Sequence, residues 1–245
     1  MKHTKFLSSL YKVCQMGTCF LAFSLVTACS GWFDVSPKTD LKADEMFSSE
    51  AGFESSLTGI YLLMTNQGAY GGNMSFGMLD QLAQQYDYIP DGANDRTAIY
   101  NYATTTSDGF RTKQKIAQSW LKLYNVIANC NNFIKWLDRK GETVIRNVNT
   151  RNTFRAEALA ARAYCHFDLL RAWGPWKYGT DAAAADVPCI PYRLVADNSK
   201  QPLLPAKEIV KLALKDLNEA KELLAHEKGL RLDNSERRFR FNYHA

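Results

Sequence analysis

The chain has 245 residues, of which 46% are hydrophobic and 22% charged, and a formal net charge of +5. That composition is globular and long enough for one sizeable core. Lys2, Lys5 and Lys12 lie in the first 28 residues, which contain no acidic residue, so the remainder carries 27 Lys+Arg against 25 Asp+Glu. A body this close to neutral lacks the clustered basic face that nucleic acid requires, and no nucleic-acid partner is expected.

The first element is a leader. Residues 1–12 form a positively charged segment, and residues 16–26 (MGTCFLAFSLV) an apolar run of signal-peptide length. The run is too short to span a bilayer as a helix. It ends Val26-Thr27-Ala28-Cys29, which is similar to the lipobox of bacterial lipoproteins. In that chemistry small residues fit the signal peptidase cleft. The Cys29 thiol takes diacylglycerol and its freed amino group a further acyl chain such as palmitate. Several chains anchor far more firmly than one. We therefore expect residues 1–28 to be a lipoprotein signal peptide, Cys29 the lipidated residue, and 29–43 a tether leading into a domain over 44–245.

Beyond Cys29 three cysteines remain, Cys130, Cys165 and Cys189. An odd, sparse set is no disulfide framework, so they read as buried thiols, with a Cys130–Cys165 bridge as the alternative.

Next in order, Phe53, Leu57, Ile60, Tyr61 and Met64 recur at helical spacing, predicting a helix over 49–64 with Ser48 or Ser49 as cap. A loop over 67–72 precedes a shorter predicted helix over 76–86 that buries Met78, Leu79, Leu82 and Ala83. Residues 87–112 show no period and read as a long loop, a length usually tied to function or disorder.

Three stronger helices follow. One covers 113–138, with Ile116, Trp120, Leu123, Tyr124, Ile127 and Ile134 on a face, and is closed by Gly141. Another covers 150–173, with Phe154, Ala158, Ala161, Cys165, Leu169 and Trp173, and is stopped by Gly174-Pro175. The last covers 205–226, with Pro205 at its start and Ile209, Leu212, Ala213, Leu217, Ala220 and Leu224 inward. Residues 174–204 read as an irregular connector without useful strand alternation. The expected fold is mainly α: irregular tetratricopeptide-like helical hairpins with long loops, since no strict repeat period holds.

Several stretches carry a family resemblance. Residues 32–37 (WFDVSP) resemble the F/L-D-x-x-P signature near the mature start of SusD/RagB-family lipoproteins. Residues 50–61 (EAGFESSLTGIY) resemble their first helix, and 120–131 (WLKLYNVIANCN) their W-x-x-x-Y-x-x-I-x-x-x-N helix. Residues 155–174 (RAEALAARAYCHFDLLRAWG) are similar to their R-x-E-A-x-x-x-R-A-x-x-x-F-D-L-x-R-x-x-G run, and Asp216-Leu-Asn-Glu-Ala220 to D-L-x-x-A. The resemblance implies an outer-membrane, lipid-anchored protein facing the cell exterior. It would bind oligosaccharide, work with a SusC-like TonB-dependent transporter and need no cofactor. Family members are longer, so the chain reads as the N-terminal half of an incomplete SusD-like fold.

Within the 155–174 run the charged residues read as structural. Glu157 with Arg162, and Asp168 with Arg171, can pair along the helix or bridge to a neighbour, and His166 reads as a satisfied core histidine. For the glycan, a site needs aromatic platforms beside amide, carboxylate and guanidinium groups. The predicted loop supplies Tyr86, Asp87, Tyr88, Asn94, Arg96, Tyr100, Asn101 and Tyr102, although its tyrosines could instead cap the core. An alternative ledge comprises Trp173, Trp176 and Tyr178. A glycoside hydrolase would need two carboxylates flanking a cleft. The acidic cluster Asp80, Asp87, Asp91 and Asp95 reads instead as turn and solubilising residues, and the last three do not fit calcium-loop spacing. No P-loop, G-x-S-x-G, H-E-x-x-H or dinucleotide motif is present. Binding is the expected role, with a helical protein-interaction scaffold as the other class to weigh.

Overall fold

The computed structural model describes residues 43–85 and 110–225. The chain divides into two units, Met1–Glu45 and Met46–Ala245, and the elements from Glu50 onward lie in the second.

Helix α1, Glu50–Met64, starts where Ser49 accepts a hydrogen bond on its side chain from the Gly52 amide at 3.1 Å. Phe53, Leu57 and Ile60 are fully buried on one face, as their spacing predicts. Gly52 permits a close approach: a Cβ there would stand 1.7 Å from the Met46 carbonyl oxygen, so no other residue fits without moving the preceding turn. The following segment, 65–77, is a succession of turns. It leads into α2, Met78–Leu82, which is only five residues long where 76–86 was expected. Gln84 adopts φ 57°, a left-handed conformation that ends the helix early. Met78 is buried as expected, but Leu79 and Leu82 are half-buried and Ala83 is exposed.

Helices α3, Phe110–Val144, and α4, Val148–Trp173, form the central hairpin. Their pairing is antiparallel: Asp138 meets Arg155, Asn131 meets Arg162 and Tyr124 meets His166. Gly141 was expected to close α3, yet the helix runs through it. There a Cβ would lie 2.8 Å from Leu137 Cδ1, one turn back in the same helix, so the glycine makes room for that side chain rather than ending the helix. Termination comes instead from Arg151, whose guanidinium donates to the Ile145 and Arg146 carbonyls, and from Asn147, which caps α4.

Helix α4 is enclosed on most of its circumference. The predicted stripe of Phe154, Ala158, Ala161, Cys165 and Leu169 is buried, and so are Ala156, Leu159, Ala163 and Leu170 elsewhere around the helix. A helix flanked on both sides shows little amphipathicity, which is why one stripe understated its burial. Its second neighbour is α6, Ala206–Leu224, again antiparallel, since Arg155 meets Glu219 and Arg162 meets Asp216. Ile209, Ala213 and Ala220 of α6 face inward as expected, whereas Leu217 is 44% exposed and Asp216 is buried.

The connector between α4 and α6 is more ordered than expected. It contains the four-residue helix α5, Ala182–Ala185, and two short strands, β1, Pro188–Ile190, and β2, Leu204–Pro205. These pair antiparallel, with Ile190 opposite Leu204. Two- and three-residue strands are too short to leave an alternating pattern in sequence. Elsewhere, Phe47, Phe53, Phe133 and Phe154 meet at centroid distances of 4.8 to 6.3 Å, and Trp136 stacks on Phe47 at 5.2 Å. This aromatic cluster fills the space between α1 and the α3–α4 hairpin. Among the described residues no helix is long and apolar enough to cross a membrane.

Candidate functional site

Cys29 and the loop candidates Tyr86, Asp87, Tyr88, Asn94, Arg96, Tyr100, Asn101 and Tyr102 lie outside the described residues. The residues flanking that loop are described, and they are tied to each other. Lys115 Nζ on α3 donates to Gln81 Oε1 on α2 at 3.0 Å, and Asn73 Nδ2 donates to the Lys115 carbonyl at 3.3 Å.

The alternative ledge separates into unlike members. Trp173 is half-buried and meets Trp120 edge-on at 5.4 Å, and Trp120 in turn lies 4.9 Å from Tyr124. Tyr178 is half-buried in a turn where its amide donates to the Pro175 carbonyl at 3.1 Å. Trp176 alone is fully presented, at 87% exposure, with Lys177 Nζ 4.4 Å from its ring centre. Trp173 therefore belongs to the edge of the core and Trp176 to the surface.

A buried polar network fastens the connector to three helices. Arg162 of α4 donates to both oxygens of Asp216 on α6, at 2.8 and 2.7 Å, and to Asn131 Oδ1 on α3 at 2.9 Å. The Tyr192 hydroxyl donates to Asp216 Oδ2 at 2.7 Å, Asn131 Nδ2 to the Arg193 carbonyl at 3.0 Å, and the Tyr124 hydroxyl to the Pro191 carbonyl at 2.8 Å. Burial works against the Arg162 charge, but the bonds and charge of Asp216 outweigh it and hold the guanidinium above its usual range. A buried ion pair needs this full set of partners to repay its desolvation.

His166 is stacked on Tyr192 at 3.7 Å and uses both ring nitrogens. The Arg193 amide donates to Nε2 at 3.0 Å, so Nδ1 carries the proton and donates to the Arg162 carbonyl at 2.9 Å. Burial, with the Arg162 charge nearby, pulls its pKa down to about 3. The ring is a neutral structural element, as read from its setting on the helix.

Of the two expected pairings, Glu157 with Arg162 resolves into bridges to neighbouring helices, the other arrangement the sequence allowed. Glu157 accepts from the Tyr61 hydroxyl of α1 at 2.8 Å, while Arg162 turns to Asp216. Asp168 and Arg171 do pair, at 2.7 Å. The Arg162–Asp216 match was missed, though a signal was present. Asp216 stands at helical spacing between Ala213 and Ala220 on the inward face, and Arg162 stands among buried alanines. Two opposite charges inside apolar stripes of successive helices need each other. Cys130, Cys165 and Cys189 are all free thiols.

The chain was also compared with known proteins. Residues 31–237 match the family model SusD-like_3, described as starch-binding and associating with outer membrane. Among solved structures, a SusD superfamily protein from Bacteroides thetaiotaomicron VPI-5482 matches with TM-score 0.57 at 18% identity, covering 71% of this chain and 37% of that one. A SusD-like carbohydrate binding protein from Bacteroides vulgatus ATCC 8482 matches with TM-score 0.55 at 19% identity, covering 72% and 36%. This chain thus spans less than half the length of either. No curated protein sequence matches it. The helical fold is shared with those structures, and the chain belongs to the SusD-like family.

Proposed function

We propose that this protein is a lipid-anchored, outer-membrane glycan-binding protein that captures oligosaccharides for a SusC-like TonB-dependent transporter. The observation that carries the reading is the family match over residues 31–237, whose description joins starch binding to the outer membrane. In this reading residues 1–28 are a signal peptide, Cys29 carries the lipid, residues 29–43 tether the body, and 44–245 form the binding domain, facing the cell exterior. The role is capture rather than catalysis. A tether that fixes the body beside a transporter raises the local concentration of ligand at the pore.

The glycan contacts in this reading come from Tyr86, Asp87, Tyr88, Asn94, Arg96, Tyr100, Asn101 and Tyr102, on the loop whose flanks Gln81 and Lys115 join. Tyrosine rings would cover the C–H faces of the sugar, and the amides, carboxylate and guanidinium its hydroxyls. The test has two arms. Cells producing the protein should incorporate labelled palmitate into it and retain it in the outer membrane, and Cys29→Ser should abolish both. Retention of label by Cys29→Ser would overturn the anchor. The intact protein should be retarded by soluble starch in native gels; unaltered mobility in starch and other neutral polysaccharides would overturn the ligand class.

A further inference from the structure

Along the second half of α4 a solvent-facing stripe is made by Ala160, Tyr164, Phe167 and Arg171, spaced three or four residues apart. An ordinary solvent stripe of a helix is charged and polar. This one shows two aromatic rings, Tyr164 at 50% and Phe167 at 39% exposure. Tyr164 is fixed in place by Tyr70 from the turns after α1, the two ring centres lying 5.0 Å apart at 41°.

Charged groups adjoin the rings. Arg171 donates through Nε to Asp168 Oδ1 at 2.7 Å, and its half-exposed guanidinium leaves further N–H donors facing outward. Asp168 is only 3% exposed at its side chain, and its second oxygen, Oδ2, accepts no hydrogen bond. The nearby Tyr70 hydroxyl donates to Cys165 Sγ at 3.7 Å, and the Asp168 carboxylate acts on the same hydroxyl. The phenol of Tyr164 lies within electrostatic reach of both Asp168 and Arg171. Burial and Asp168 raise its pKa, and Arg171 offsets part of that rise. Rings, guanidinium and carboxylate therefore share one small area, built from two separate stretches of chain.

We propose that Tyr164, Phe167 and Arg171 form a further sugar subsite, made by none of the 86–102 candidates nor by Trp176, that takes a neutral glucan-type pyranose. The rings cover the C–H face of the sugar and Arg171 donates to its hydroxyls. Asp168 is a positioning residue that holds the guanidinium fork, and Tyr70 backs the platform. The inference rests on the glycan-binding function proposed for the chain.

Hydroxyl-radical footprinting of the full chain, with and without maltoheptaose, separates the possibilities. The subsite predicts protection of Tyr164 and Phe167. It also predicts about tenfold weaker maltoheptaose binding for Arg171→Gln and Tyr164→Ala, each measured well below the variant's own thermal midpoint. Tyr164→Phe, which keeps the ring, should bind nearly as wild type. Protection confined to the loop or to Trp176 would overturn the subsite and leave the glycan-binding reading standing. Protection of Tyr164 and Phe167 that depends on protein concentration rather than sugar would mark contact between copies of this chain and overturn the subsite. Absence of protection at any residue would overturn the subsite and the starch-type reading together.

Discussion

Arg162 of α4 and Asp216 of α6 meet in a two-pronged ion pair at 2.7 and 2.8 Å, buried at 8% and 6% side-chain exposure. Both oxygens of the carboxylate are used, Tyr192 adds a third bond, and Asn131 takes the other arm of the guanidinium. The pair ties the α3–α4 hairpin to α6 and, through Tyr192, to the connector. Removing one partner leaves the other charge buried and alone. Asp216→Ala should therefore cost about 3–5 kcal/mol, read as a lower urea midpoint. Replacing both residues by apolar ones of similar volume, Arg162→Met with Asp216→Leu, should cost less than either single change. A double variant as unstable as the sum of the two would show that the charges do not act as a unit.

His166 gives a defined pH dependence. Its folded pKa lies at about 3, below the unfolded value near 6.5. Below pH 6.5 the unfolded chain binds a proton that the folded chain refuses, so stability is intact above that pH and falls as pH drops towards 3. Between pH 7 and pH 5 the loss from this one group should be about 2 kcal/mol. Urea titrations at the two pH values measure it. His166→Phe should flatten the difference between them, whatever it does to stability at pH 7.

Trp173 and Trp176 should behave oppositely. Trp173 packs on Trp120 at the end of α4 and is half-buried, so Trp173→Ala should cost roughly 2–3 kcal/mol, less than for a fully enclosed ring. Trp176 is almost wholly in solvent, and Trp176→Ala should change stability by no more than about 0.5 kcal/mol. Thermal unfolding of the two variants checks the division.

The thiols offer a probe of the hairpin itself. Cys130 and Cys165 are completely buried, and burial pushes both pKa values up, that of Cys165 to about 12. The thiolate is the reactive form, so iodoacetamide at pH 8 should leave both untouched in the folded protein. Cys189 is only half-buried and should react sooner. Labelling of Cys130 before denaturant is added would show that α3 and α4 part readily.

The helices were legible because their stripes are long. Phe53, Leu57 and Ile60, or Ile209, Ala213 and Ala220, repeat at helical spacing over several turns, and burial follows the repeat. Short-range features were not. Gly141 looks like a stop, but α3 runs through it to Val144, and Arg151 of the next helix takes the Ile145 and Arg146 carbonyls beyond, a contact no local pattern reveals. The pairing of Ile190 with Leu204 spans a connector whose two- and three-residue strands carry no period. In the 155–174 run the residue types pointed to ion pairs, but the partner of Arg162 lies 54 residues away on another helix. Which charge meets which depends on how helices align, and alignment is a tertiary property. For the glycan contacts the sequence offered suitable residue types on a loop and in a ledge. Of the ledge, the structure presents Trp176 and withdraws Trp173.

If the body binds oligosaccharide through the 86–102 loop, titration calorimetry of the full chain with maltoheptaose tests that binding most directly. A saturable heat that falls at least tenfold in affinity for Tyr88→Ala with Tyr100→Ala, at an unchanged thermal midpoint, is the expected result, with the factor of about ten set by the loss of two ring contacts. Equal affinity in wild type and the double variant, or no saturable heat from a folded wild-type protein, would contradict it.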